Sequence, residues 1–196
     1  MLFSKKPKYD YIIIALGNPG SKYDETRHNA GFRAIDRLIS EISVTPEKKR
    51  FQSLIRDGKI GSKTVLLVKP QTFMNNSGLA VSEILSFYKI DPQNIIVISD
   101  DVSMNAGRLR IRANGSHGGH NGLKSIIELC GTDNFPRVKI GVGQKPHPDY
   151  DLADWVLSKP CNESKQQIDS AEEAAAKAII TMVESSISDA MSKFNR

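Results

Sequence analysis

The run Tyr11-Ile12-Ile13-Ile14-Ala15-Leu16, closed by Gly17-Asn18-Pro19-Gly20, decides the fold class of this 196-residue chain. A short, unbroken apolar stretch rich in isoleucine describes a strand buried on both faces, as inside a parallel sheet. The Asn-Pro-Gly behind it places proline second and glycine third in a turn, the pattern of type II. Beyond the turn, Ala30, Phe32, Ala34, Ile35, Leu38 and Ile39 recur at helical spacing, and Asn29 suits the N-cap of that helix. Strand, turn and helix in that order form the first step of an α/β layered domain.

Further along, Phe51 to Asp57 and Lys63 to Val68 read as two strands joined near Gly58 and Gly61. Pro70 ends the second strand, and Asn76 or Ser77 opens a helix through Leu79, Ile84, Leu85 and Tyr88 that Asp91-Pro92 breaks. Ile95 to Ile98 is another buried strand. Arg108 to Arg112 alternates strictly and predicts a strand with one cationic face. A glycine-rich loop leads to a helix over about Asn121 to Leu129, and Val138 to Val142 is the last strand. Ile168, Ala171, Ala175, Ile179, Met182 and Val183 mark an amphipathic helix in a helical C-terminal segment, 163–196. The expectation is one domain, 1–196, with a flexible lead-in at 1–8. Its fold is a three-layer α/β/α sandwich around a mixed, mostly parallel twisted sheet, because some strand links are short enough to be hairpins.

The chain carries 27 Lys+Arg against 22 Asp+Glu. Residues 1–148 hold 22 of the basic and 13 of the acidic residues, and residues 149–196 hold 5 and 9. A basic body with an acidic tail suits a phosphate-rich partner, and a solvated lysine-rich surface explains it equally well. Cys130 and Cys161 stand far apart and read as free thiols of a reducing compartment. The start lacks the apolar core of a signal peptide, and no early apolar run could span a bilayer. These features predict a soluble, cytoplasmic protein.

Asn18, His28, Asn75, Asp100 and Asn121 all sit in turn or glycine-rich segments placed just after strand ends. In an open α/β sheet the ligand crevice lies outside those ends. One histidine, one carboxylate and three amides meeting there make a small hydrolytic site without a metal. Taken alone, His28 reads first as a surface histidine bonded to its own turn. The alternative is a general base kept neutral by the helix N-terminus that follows it. Asp100 or Asp101 then orients the imidazole, binds Mg²⁺ or caps a turn. His117 and His120 hint at zinc, but the surrounding loop is mostly glycine and offers no third ligand. Arg108, Arg110, Arg112, Lys124, Arg137 and Lys139 crowd the glycine loop and suit either phosphate contact or a charged sheet edge. The chain has no G-x-S-x-G elbow, no Walker A sequence and no G-x-G-x-x-G, which disfavours covalent serine catalysis and nucleotide-driven chemistry. Activated water remains.

Four segments taken together are more specific than any of these features. Gly-Asn-Pro-Gly with Thr-Arg-His-Asn-Ala-Gly-Phe, Lys-Pro-Gln-Thr-Phe-Met-Asn-Asn-Ser-Gly, Ser-Asp-Asp and Gly-Gly-His-Asn-Gly-Leu-Lys follow one another from Tyr11 to beyond Trp155. In this order they resemble the bacterial peptidyl-tRNA hydrolase family. The resemblance implies a monomeric α/β/α enzyme without cofactor or metal that cleaves the ester between a peptide and the terminal ribose of tRNA. It implies His28 as general base and Asp100 as the carboxylate that stabilises its protonated form. Asn18 is implied to separate N-blocked from free aminoacyl-tRNA, and Tyr23, Phe73, Asn75 and Asn121 to hold substrate around the ester. Arg112 and Lys139 match a basic pair that holds a tRNA phosphate, with arginine and lysine exchanged relative to the best-known members. The loop Val102 to Gly107 lacks the proline usual there. Two other classes stay in view: a non-catalytic RNA-binding protein on this fold, and a different hydrolase such as an aminopeptidase or nucleosidase.

Overall fold

The structure is a computed structural model that describes residues 8–195. Its elements in chain order are β1 (Tyr11–Ala15), α1 (Ala30–Glu41), β2 (Ser43–Val44), β3 (Lys48–Arg50), β4 (Ser53–Ile60), β5 (Lys63–Pro70), α2 (Ser77–Tyr88), β6 (Ile95–Asp101), β7 (Leu109–Arg112), α3 (Asn121–Cys130), β8 (Arg137–Gly141), α4 (Leu152–Leu157), α5 (Asn162–Glu184) and α6 (Ile187–Phe194). The eight strands form one sheet in the order β2-β4-β5-β1-β6-β8-β7, with β3 paired to β4. The four central strands β5, β1, β6 and β8 run parallel, and the antiparallel pairs lie toward the edges.

The pleat of β1 sorts its isoleucines into two cores. Ile13 and Ala15 face α1, α5 and α6, together with Leu67, Ile96, Ile98, Val138 and Ile140. Ile12, Ile14 and Leu16 face α2 and α3, with Leu66, Val68, Ile95 and Val97. The result is the expected α/β/α sandwich, with β1 buried on both faces. The chain visits β5 on one side of β1 and β6 on the other, so a crevice opens at the carboxyl ends of these strands.

Three local expectations change. Gly20 takes the positive φ of a third turn position (107°), but its ψ of 142° carries the chain onward instead of closing a type II turn. Asn29 occupies the N-cap position of α1 without capping it. Its side chain is taken by the backbone of Asn18, described below. The short strands β2 and β3 are additional to the predicted set. Of the lead-in expected to be flexible, residues 1–7 lie outside the described residues. Lys8 is exposed, with Nζ 3.3 Å from Asp57 Oδ1. Among the described residues, no helix is long and apolar enough to cross a membrane.

Candidate active site

A cavity of about 540 Å³ opens over the carboxyl ends of β1, β5 and β6, and its lining includes Asn18, His28, Phe73, Asn75, Asp100, Asn121 and Lys139. The approach of α1 to the sheet puts His28 there. A Cβ on Gly31 would lie 2.5 Å from Leu16 O and 2.8 Å from Ile98 O, so only glycine lets the helix start this close to the strand ends. His28, in the single 3-10 turn Arg27–Asn29, thereby reaches the end of β6.

His28 Nδ1 lies 2.8 Å from Asp100 Oδ1, and His120 Nε2 lies 2.9 Å from the same oxygen. A carboxylate only accepts, so each of those ring nitrogens carries its hydrogen. His28 is left with Nε2 as its basic nitrogen. His120 uses Nδ1 to accept from Leu123 N–H at 3.3 Å, capping α3. Burial alone would lower the basicity of His28, but the adjacent Asp100 carboxylate outweighs it and the pKa is raised. Asp100 is desolvated, which opposes ionisation, yet the two imidazoles hold its pKa far below the usual carboxylate range.

Amide orientation is fixed as tightly. Asn29 Oδ1 accepts from Asn18 N–H and Asn29 Nδ2 donates to Asn18 O, both at 2.9 Å. Asn18 Oδ1 accepts from Met74 N–H at 2.8 Å, which leaves its Nδ2 hydrogens as the donors available to a ligand. Phe73, the residue before Met74, has φ 59° and ψ 160°, a region that side chains avoid. Its ring is 51% exposed and meets Tyr23 edge-on at 6.4 Å, so Tyr23 joins the site through Phe73 and is not among the cavity-lining residues. The opposite wall is apolar, formed by Leu152, Ala153, Val156 and Leu157 around α4. Arg27 holds that wall: its guanidinium stacks 3.6 Å from the Trp155 ring centre and donates to Ser158 Oγ (2.7 Å) and Lys159 O (2.9 Å).

The basic residues separate into three groups. Lys139 lines the cavity with Nζ 2.6 Å from Asp101 Oδ2. Arg112 lies outside the cavity, in a cleft of about 400 Å³ shared with Arg108 and Arg110. Arg137 does not belong with the phosphate-contact candidates. It is buried and donates to the carbonyls of Gly115, Ser116 and Asp133, holding the glycine loop in shape.

The His117–His120 pairing is not formed either. His117 Nδ1 accepts from Gly119 N–H in its own loop, while His120 turns to Asp100. The histidine set aside on sequence thus joins His28 on the Asp100 carboxylate. His28, Asp100 and His120 bring three ligand-type atoms within 4.8 Å of one another. Those atoms are committed to hydrogen bonds, and freeing His120 Nε2 for a metal would move its proton to Nδ1 and break the cap on α3.

Residues 12–196 match the peptidyl-tRNA hydrolase family. The chain belongs to that family. It is 48% identical to the peptidyl-tRNA hydrolase of Clostridium botulinum (strain Alaska E43 / Type E3) across 94% of its own length and 95% of the relative's. The crystal structure of the Acinetobacter baumannii peptidyl-tRNA hydrolase superposes with a TM-score of 0.89 at 35% identity, covering 94% of both chains. An Arabidopsis thaliana 5'-methylthioadenosine nucleosidase, 10% identical with a TM-score of 0.55 over 94% of this chain and all of that one, shares the fold alone. The chain is thus a hydrolase acting on the ester bond of peptidyl-tRNA, and the non-catalytic alternative is not supported.

Proposed function

We propose that His28 Nε2 removes a proton from water as that water attacks the ester carbonyl joining the peptide to the terminal ribose of tRNA. The carrying observation is the 2.8 Å His28–Asp100 contact, which fixes the tautomer and leaves Nε2 as the basic atom of a cavity-lining histidine. Asp100 remains ionised and stabilises the imidazolium formed in the transition state. His120 helps keep the carboxylate in place by donating to the same oxygen. No covalent intermediate is needed, because an ester is an easy target for activated water. In this reading the three side chains themselves supply the proton transfer and the charge stabilisation, with His28 Nε2 left free for the water.

Asn18 presents amide hydrogens, so it suits the acyl carbonyl of an N-blocked residue and offers nothing to a free α-ammonium group. That chemistry would separate peptidyl-tRNA from aminoacyl-tRNA. Asn75 and Asn121 border the cavity as further donors for the peptide backbone or the developing oxyanion. Tyr23 and Phe73 hold the substrate beside them. Lys139 is directly opposite Arg110 in the β7–β8 register, and alternation puts Arg108 and Arg112 on the same face. A tRNA backbone leaving the cavity past Lys139 would meet that row. The enzyme works as a cytoplasmic monomer.

The test is turnover of N-blocked aminoacyl-tRNA by His28→Ala, which should fall by about 10²–10⁴ while tRNA binding is retained. Near-normal turnover in the folded variant rejects His28 as the base.

A further inference from the structure

Glu172 on α5 is fully buried, outside every role described so far, and its Oε2 has no hydrogen-bond partner among the described residues. Its Oε1 accepts from Arg33 Nε at 2.8 Å. Arg33, on α1, sends Nη1 to two carbonyls, Asp24 O and Thr26 O, each at 2.7 Å. A half-satisfied buried carboxylate is costly to keep. Arg33 could reach those carbonyls without it, so what Glu172 adds is aim: with Nε anchored inward, Nη1 is turned onto the 24–26 turn.

That turn lies between two parts of the site. Tyr23 O accepts from both Thr26 N–H (2.9 Å) and Thr26 Oγ1 (2.8 Å). Thr26 O also accepts from Asn29 N–H (3.2 Å), inside the turn that carries His28. We infer that Glu172 is a positioning residue for substrate binding, holding through Arg33 the turn that sets the Tyr23 ring against Phe73. This inference rests on the reading that Tyr23 and Phe73 contact substrate.

The hold is graded by pH. Burial pushes the Glu172 carboxyl up to about 7, assisted by Asp169 on the same helix and opposed by Arg33 and Arg37 on α1. Protonation removes the charge assistance from the Arg33 bond, so the turn is held more firmly as pH rises through neutrality.

The experiment compares wild type, Glu172→Gln, Glu172→Ala and Tyr23→Ala as full-length proteins. Its readouts are steady-state kinetics on N-blocked aminoacyl-tRNA and hydrogen exchange at the Thr26 and Asn29 amides. Glu172→Ala should raise KM by about three- to tenfold, the scale of one weakened charge-assisted hydrogen bond, with kcat nearly unchanged. Glu172→Gln keeps the shape and folds if the alanine variant does not; it should remove the component of the KM–pH profile that wild type shows around neutrality. Exchange at Thr26 should rise in Glu172→Ala. Unchanged exchange overturns the inference, whatever KM does. Faster exchange with KM raised in Tyr23→Ala but not in Glu172→Ala also overturns it. Faster exchange with KM unchanged in both overturns instead the role of Tyr23 on which the inference rests. A lower melting temperature with unaltered KM, pH profile and exchange would make Glu172 a packing residue only.

Discussion

Replacing Asp100 with Asn tests the centre of the mechanism, because it keeps the shape of the side chain and removes its charge. In the wild type Oδ1 accepts two N–H groups, from His28 and His120. An amide oxygen in that place accepts both, but each bond drops from charge-assisted to neutral, a loss of about 1–1.5 kcal/mol apiece. The transition state suffers more than the ground state, because His28 is then an imidazolium facing a neutral amide in a buried site. If the amide instead turns its NH₂ toward His28, the imidazole proton is forced onto Nε2 and the base is lost. Either arrangement predicts a fall in kcat of about 10²–10⁴ with little change in tRNA affinity. The pH profile gives a second, independent reading. Burial lowers the His28 pKa and only Asp100 raises it, so Asn at position 100 leaves the lowering influence unopposed. The acid limb of kcat/KM should therefore move to lower pH even as the maximum collapses. Rates on N-blocked aminoacyl-tRNA over about pH 5 to 9, with an NMR titration of the His28 ring, check both effects. A limb that stays in place or moves upward, with near-normal kcat, would refute the assignment of Asp100 as the partner that holds the imidazolium.

Phe73→Gly should relieve backbone strain of about 1–3 kcal/mol against an entropy cost of about 0.5–1 kcal/mol, so the melting temperature should hold or rise while kcat/KM falls; a clear drop in melting temperature contradicts the strain argument. Lys139→Met and Arg112→Ala should each lower the salt dependence of KM by about one counterion. Only Lys139→Met should also destabilise the fold, by up to about 3 kcal/mol, because it removes the cation paired with the buried Asp101 and leaves that carboxylate only its two Ser103 hydrogen bonds. The Asp101 carboxyl is disfavoured by burial but held below its usual range by Lys139 and Ser103. Its contribution to stability is therefore present above the ordinary carboxylate pKa and lost as pH falls through the depressed one, and acid denaturation of the variant should show that component reduced to what Ser103 supplies. Asn18→Asp replaces the free amide hydrogens with a carboxylate oxygen and should narrow the preference for N-blocked over free aminoacyl-tRNA; an unchanged ratio would remove Asn18 from discrimination. Exhaustive chelation followed by assay in metal-free buffer should leave turnover intact, and loss restored by Zn²⁺ would reopen the histidine–carboxylate cluster as a metal site.

What the sequence made legible follows from how local each signal is. Strand β1 and the first four residues of β6 were readable because burial on both faces writes itself as an apolar run. Strand β7 was readable because one face is wet and the other dry. Strand β3, Lys48–Arg50, is wholly exposed and carries no apolar pattern, so only its pairing with β4 reveals it. Asn18 could be placed because it closely follows the end of β1, and His28 because it directly precedes a helix; Asp100 is expected from sequence just past a strand end but lies within β6, which runs on to Asp101. The part played by His120 could not, since it depends on a glycine loop folding back 20 residues to the Asp100 carboxylate. Gly118 and Gly119 have φ of 57° and 82°, and that loop shape leaves no trace in sequence beyond the glycines themselves. Asn29 and Arg137 mislead for a related reason. Each has a residue type suited to one local task, a helix cap or a phosphate contact, and each is drawn off by carbonyls or amides that only the tertiary fold brings near.

The buried polar groups of the molecule explain how tightly the side chains of the candidate site are held. Asn18, Thr26, Arg27, His28, Asn29, Ser99, Asp100 and Asp101 are all buried in the segment after β1 or at the end of β6. Polar burial on that scale is tolerable only where partners are in place, and all of these residues but Ser99, whose Oγ has no partner among the described residues, have them inside the set or on the segments packed around it. Asn29 fixes the Asn18 backbone, Met74 fixes the Asn18 amide, and Asp100 fixes two imidazoles. The donors and the base consequently have little freedom to reorganise as charge develops on the ester, and that is the condition under which fixed dipoles lower a barrier. The same economy makes the site vulnerable: a substitution at Asn29 or His120, neither assigned direct contact with the ester, should reach the reaction through the residues they hold.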